Sequence, residues 1–410
     1  MNLWRRFGGA FLYRDYRLLW VIMMTGSITV WMRILGTAQW LLEETGSAAM
    51  VGMIGVVQLF VQIPFILWAG TLADRMDRKK LMVFAYGVTT AALATLGFMN
   101  ASDLLTPLMV YAGIGVTAAT QMLVGPARTA LIPVIFPEKD LMMVTSTDTA
   151  SANVAAIVGP LVFALVATSM GLTAVFLMAA AISVLSFFLP MFMGVPGLVD
   201  RNDAAEKSSQ VRETVDGFRY VAKHPILPGL FLLDIGITTA SFYREILPVL
   251  ALGLFAGGAS VTGLLGASNS AGAIVGAVFA LLLVGFRAKG MLVLYASFAY
   301  GLFLFGFGTA NSLWLGVLMI ALLGAADAVT VAVRTATVML TTPDHMRGRA
   351  FSMLYLAAYT ANNIGTIWVG FWAGAIGASQ TMILGSVISV GVTAMIWWLW
   401  KPIRNFRSNE

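Results

Sequence analysis

The sequence predicts an all-α membrane protein of twelve transmembrane helices arranged as two pseudo-symmetric six-helix bundles. Three observations carry that expectation. The 410 residues are 59% hydrophobic, with a mean hydropathy of +0.86, whereas soluble domains are nearer to about 45–50% apolar. Apolar runs of about 20 residues recur, long enough to cross a hydrocarbon core of about 30 Å. Short landmarks in the first half of the chain also return in the second half at nearly fixed spacing. Backbone groups in lipid must be satisfied internally, which leaves helices or a closed barrel. Continuous apolar runs, without ten-residue alternation, select helices.

The elements follow in order. Met1 to Arg17 carries Arg5, Arg6, Arg14 and Arg17 interleaved with Trp4, Phe7 and Phe11. It lacks the apolar core of a cleavable signal peptide and reads as an interfacial helix on a basic membrane face. Charged or Gly/Pro/Asn breaks then delimit spans at 18–42, 50–72, 81–99, 104–124, 145–169 and 172–193. The longest polar segment follows, and the remaining spans are expected at 226–255, 261–286, 291–309, 313–333, 351–376 and 382–400. The chain thus divides into an N-terminal half, 1–193, a cytoplasmic linker, 194–225, and a C-terminal half, 226–410.

Charge supports the count. Of 25 Lys and Arg, 23 fall in the termini or in every second loop, and only Arg33 and Arg244 lie inside expected spans. The positive-inside rule then puts both termini in the cytoplasm of a cell inner (plasma) membrane protein. The net charge of +6 is accordingly a topology signal, and no nucleic-acid partner is expected. Cysteine is absent, which excludes disulfides, thiol chemistry and cysteine metal sites. Both histidines, His224 and His345, fall in expected loops. No Gly-rich phosphate loop and no catalytic constellation is present, so no enzyme, cofactor or metal site is expected.

The internal repeat points to transport. "GSAAMVGMIG" at 46–55 matches "GGASVTGLLG" at 257–266. Arg128-Thr129-Ala130, Pro137 and Gly159 match Arg334-Thr335-Ala336, Pro343 and Gly365 with a constant offset of 206. Paired six-helix halves are the sequence sign of a transporter rocking about a central site.

"GTLADRMDRKK", Gly70 to Lys80, resembles the signature that the major facilitator superfamily carries between spans 2 and 3. "WLLEETGSAAMVG", "GPARTALIPVIFP", "IVGP", "GFRYVAKHP" and "TTPDHMRGRAFSM" are similar to the branch of enterobactin exporters and macrolide efflux proteins. The resemblance covers the whole chain. It implies that Gly70, Asp74, Arg75 and Arg78, with Arg347 and Arg349 as partners of Asp74, form a conformational gate. The sequence departs from the pattern at Asp77, where the family has Gly. Met109 and Ala112 stand where drug–proton antiporters carry Arg and Gln, and Phe163-Ala164 where they carry Gly-Gly.

Charge inside a membrane costs roughly 2.5–3.5 kcal/mol per group on insertion scales and defaults to a functional hypothesis. Arg33 and Arg244 both fall about 15 Å deep, and in the fold that the resemblance implies their spans, 1 and 7, line the central cavity. They are the expected contacts of an anionic substrate group, with Gln39, Gln58, Asn269 and Asn362 as uncharged hydrogen-bonding candidates. Asp234 and Glu245, eleven residues apart and on one face of a continuous span 7, are the expected proton-coupling pair. The alternative is that Arg33, Arg244, Asp234 and Glu245 only neutralise one another. Asp148 and Asp327 are expected near cytoplasmic ends, solvated or capping, and Gly263, Gly266, Gly272 and Gly276 are expected to allow close helix approach. The expected function is secondary active export, by a monomer in membrane lipid, of an amphipathic, siderophore- or drug-like small molecule in exchange for protons. Uniport or symport of an organic anion or lipid-like metabolite, and a non-transporting receptor on the same fold, are the alternatives.

Overall fold

The computed structural model describes residues 9–197, 210–283 and 285–407, with the side chains of 67–75 and 210–214 outside the description. Described secondary structure is helical throughout. In chain order the helices are α1 (Arg14–Thr45), α2 (Ala48–Arg75), α3 (Arg78–Ala101), α4 (Pro107–Ile135), α5 (Leu141–Phe188), α6 (Gln210–Lys223) and α7 (Leu227–Ser241). They continue as α8 (Leu247–Phe255), α9 (Ala259–Leu282), α10 (Lys289–Gly308), α11 (Leu313–Thr341), α12 (Asp344–Ile376), α13 (Ala378–Leu399) and α14 (Lys401–Arg404).

Nine of the described helical segments are long and apolar enough to cross a membrane alone. The expected spans 5 and 6 both lie within α5, which is broken at Gly171, where φ is +80°. A left-handed backbone there suits glycine, which has no Cβ to clash. Counting α5 as two spans and adding the broken segment α7–α8 and the more polar α12 brings the number to twelve.

Span 7 is not continuous. Residues 242–246 leave the helix between α7 and α8. Pro248, in the first turn of α8, has no N–H to return to the carbonyl of Arg244, which removes one helical hydrogen bond at this point and suits the start of a new helix. Two further expectations change at helix ends. Of the expected interfacial helix, residues 1–8 lie outside the described residues, Gly9–Leu12 forms a short 3-10 turn, and α1 already begins at Arg14. Asp15 in its first turn accepts the N–H groups of Gly194 and Val195. His345 lies inside the first turn of α12 and not in a loop.

The residues cluster into two compact units. One comprises Met1–Leu41 and Phe60–Glu206, the other Leu42–Leu59 and Lys207–Glu410. In the first unit α3 packs along α4 and α5. There α1 crosses α5, with Trp31 over Gly159 and Thr25 hydrogen-bonded to Ser186 at 2.7 Å. Asp77 caps α3 by accepting the N–H groups of Lys79 and Lys80, so the departure from Gly creates a helix start. Arg78 donates to the Ala130 carbonyl at 3.0 Å, which fastens α3 to α4.

In the second unit the tightest pairing is α9 against α11. A side chain at Gly272 would strike the Ala321 carbonyl, and one at Gly276 the Ala325 carbonyl. These glycines do bring two helices together, as the sequence suggested. That crossing sets Asn269 of α9 beside α11, where Asp327 and Arg334 reside.

Candidate functional site

The second unit encloses a cavity of about 230 Å³ walled by α7, α9, α10, α11, α12 and the α7–α8 connection. Its polar lining contains two carboxylates, Asp234 and Asp327, and two guanidinium groups, Arg244 and Arg334. Each arrives from a different structural cause. Asp234 stands mid-way along α7. Arg244 is presented by the break between α7 and α8. Asp327 and Arg334 are seven residues apart on α11, about two turns, and so share a face.

Arg334 forms an ion pair with Asp234, both side chains being nearly buried. The Nε of Arg334 is buried with no hydrogen-bond partner among the described residues. An orphaned buried donor of this kind costs roughly 1–3 kcal/mol, and its position beside the cavity makes it available to whatever the cavity holds. Arg244 lies over the ring of Phe242, 5.8 Å from its centroid. Asn269 donates to the Tyr243 hydroxyl and to the Ile320 carbonyl, the latter at 3.2 Å. The hydroxyl groups of Tyr300 and Ser241 meet at 3.0 Å. Asn362 of α12 completes the polar wall.

Of the residues singled out from sequence, Arg244, Asp234, Asn269 and Asn362 are thus brought together here. Glu245 is not in the lining. It is 6% exposed, and its Oε2 accepts from Thr366 at 3.4 Å. Because the helix breaks between them, Asp234 and Glu245 do not share a helical face, which corrects the continuous-helix expectation. Arg33 is 3% exposed on α1 in the first unit and donates to Gln121 at 3.4 Å. Gln39 and Gln58 are buried. Gly70, Asp74 and Arg75 fall in α2 but outside the described side chains. Arg347 pairs with Asp344 in its own helix at 2.9 Å, and Arg349 approaches Asp216 of α6 at 3.7 Å.

Sequence reasoning missed Asp327, Arg334 and a second buried cluster. Asp327 does not solvate a helix end, since its exposure is to the cavity. Asp148 is likewise no solvated cap. It is 8% exposed and accepts from Tyr16 and Arg128, each at 2.9 Å. The cause of both misses is the same. The apolar runs of spans 4 and 10 end at 124 and 333 and set Arg128 and Arg334 among loop charges, whereas α4 and α11 run on to Ile135 and Thr341. The repeated Arg-Thr-Ala at 128 and 334 was the available signal. Chemically, the cavity can bind and exchange charged or hydrogen-bonding groups, and no metal-binding cluster occurs among the described residues.

Residues 10–408 match the family described as transmembrane secretion effector. The enterobactin exporter EntS of Citrobacter koseri is 25% identical over 378 residues, covering 88% of this chain and 83% of that protein. The enterobactin exporter EntS of Escherichia coli is 25% identical over 355 residues, covering 82% and 80%. Among solved structures, the nucleoside transporter NupG superposes with a TM-score of 0.75 at 14% identity, covering 93% of this chain and 98% of that one. A bacterial homologue of the human lysosomal transporter Spinster, inward-facing and occupied, gives 0.72 at 14%, covering 94% and 96%.

Proposed function

The chain belongs to the transmembrane secretion effector family, within the major facilitator superfamily, and on that premise we propose that it exports an amphipathic small molecule in exchange for protons. It is a multi-pass membrane transporter and not an enzyme. The export direction is supported by the relatives named as enterobactin exporters. The observation that carries the reading is the cavity of the second unit, where Asp234 and Asp327 face Arg244 and Arg334. Such groups are costly within a membrane and are retained on substrate and proton pathways.

In this reading Arg244, Asn269 and Asn362 contact substrate in the C-terminal half, 226–410, and Arg33, Gln39 and Gln58 serve the remainder of the route. Asp234 and Glu245 carry protons. The N-terminal half, 1–193, and the linker, 194–225, complete a monomer in the inner membrane with both termini cytoplasmic. Gly70, Asp74, Arg75 and Arg78, together with Arg347 and Arg349, regulate the change of access. A second reading, symport or uniport of an organic anion, is favoured by one specific observation, two buried arginines, Arg33 and Arg334, and a third, Arg244, that lines the cavity.

The deciding experiment is transport in proteoliposomes, with substrates screened among siderophores, macrolides, organic anions and lysolipids. Asp234→Asn and Glu245→Gln are expected to lose flux driven by a pH gradient while keeping substrate exchange. Unchanged driven flux in both single variants and the double variant removes them from proton coupling. Substrate uptake that moves with protons, rather than against them, favours the second reading.

A further inference from the structure

Asp327 differs from the other carboxylates of the second unit. Asp234 is held by Arg334, and Glu245 accepts from Thr366 away from the cavity. The Asp327 carboxylate forms no ion pair and no hydrogen bond with the described residues, and it is exposed into the cavity. The α9–α11 crossing fixes its helix, so it cannot retreat. From α7 it is faced by Asp234, from its own helix by Arg334, and from the α7–α8 connection by Arg244 and Tyr243. From α10 it is faced by Tyr300, while α9 and α12 offer only the neutral Asn269 and Asn362.

Both arginines of the cavity are already engaged, Arg334 with Asp234 and Arg244 against the Phe242 ring. The hydroxyl groups of Tyr243 and Tyr300 are likewise engaged, by Asn269 and Ser241, which leaves their rings as aromatic wall. An open carboxylate among aromatic rings suits a cation. We propose that Asp327 recognises the protonated amine of an amphipathic substrate, and that a proton and this amine alternate on its carboxylate. Occupancy by the proton leaves Arg244 and Arg334 facing only Asp234, a net positive cavity that repels a second cation. Competition of this kind is what exchange requires, since an anionic substrate would bind together with the proton and be co-transported. The inference rests on the exchange reading and adds to it the substrate class and a third carboxylate, Asp327, on which the proton delivered past Asp234 and Glu245 competes with substrate.

The test is equilibrium binding to the purified full chain of two probes with one cage and opposite charge, 1-adamantylamine and adamantane-1-carboxylate. The amine should bind at about pH 8 and bind about tenfold more weakly at about pH 6, although it stays charged at both. Asp327→Asn should lose at least about tenfold in affinity at about pH 8 and lose the pH dependence, while Asp327→Glu keeps both. Amine binding to Asp327→Asn at wild-type strength overturns the proposal, as does tighter binding of the carboxylate. If Asp327→Asn fails to fold, the wild type decides: amine binding equal at the two pH values overturns the proposal, and the expected loss supports it. Asp327-dependent amine binding without proton movement in proteoliposomes supports the recognition site and discards only exchange.

Discussion

Asp148 and Asp327 sit in helices where the sequence suggested solvated ends, and each is instead part of a charged constellation. The first is closed, with both oxygens of Asp148 occupied by Tyr16 and Arg128. The second opens on a cavity, with Arg334 held by Asp234. The same repeated arginine is therefore a structural tie in one unit and a cavity wall in the other. His224 shows a different dependence on surroundings. Its Nδ1 accepts the N–H groups of Ile226 and Leu227, both at 3.2 Å, and caps α7. The backbone of Thr341 lies near the ring and favours its charged form. Burial lowers its pKa below the ordinary 6.5, partly offset by the Thr341 backbone. The folded state thus favours neutral imidazole, and the unfolded chain binds the proton more readily. The contribution of His224 is complete above the unfolded pKa and is lost as pH falls through the folded one. Melting temperature should fall more for the wild type than for His224→Gln between about pH 7.5 and about pH 5.

At the scale of elements, positions of spans were legible because apolar length is a local property. Their ends were less so, because α4, α11 and α12 continue past the apolar stretch through charged residues that tertiary partners satisfy. The break of span 7 was also readable in principle, from Pro248 seven residues after Ser241. The close pairing of α9 with α11 depends on Gly276, where an added Cβ would meet backbone that cannot rotate aside. Gly276→Ala is expected to destabilise by about 1–3 kcal/mol as overpacking, seen as a lower melting temperature. Gly391→Ala, in α13 with nothing near an added Cβ, should be neutral or stabilising by up to about 1 kcal/mol.

For the whole molecule, membership in the superfamily and twelve spans agree with the count reached from apolar runs and basic loops. The orientation that the basic loops imply is directly testable, because the chain contains no cysteine. Single substitutions Asp103→Cys and Lys139→Cys give reporters in loops that the positive-inside rule puts on opposite sides. Asp103→Cys should react with an impermeant maleimide added to intact cells, and Lys139→Cys only after permeabilisation. The reverse pattern would invert the topology and put the basic loops outside.

The sequence by itself determined that this chain is a helical membrane protein built from two related halves, because hydropathy, basic-residue spacing and repeat offset survive without any knowledge of contacts. It also supplied Arg244, Asp234, Asn269 and Asn362, since polar residues within apolar runs stand out wherever they point. Tertiary structure alone decided which charges meet. Arg334 and Asp234 are a hundred residues apart, and only the folding of α7 and α11 around one cavity makes them a pair. The break between α7 and α8 separates Glu245 from Asp234, and the cavity leaves Asp327 open, because the partner of a charge is set by three-dimensional distance and not by its place in the chain.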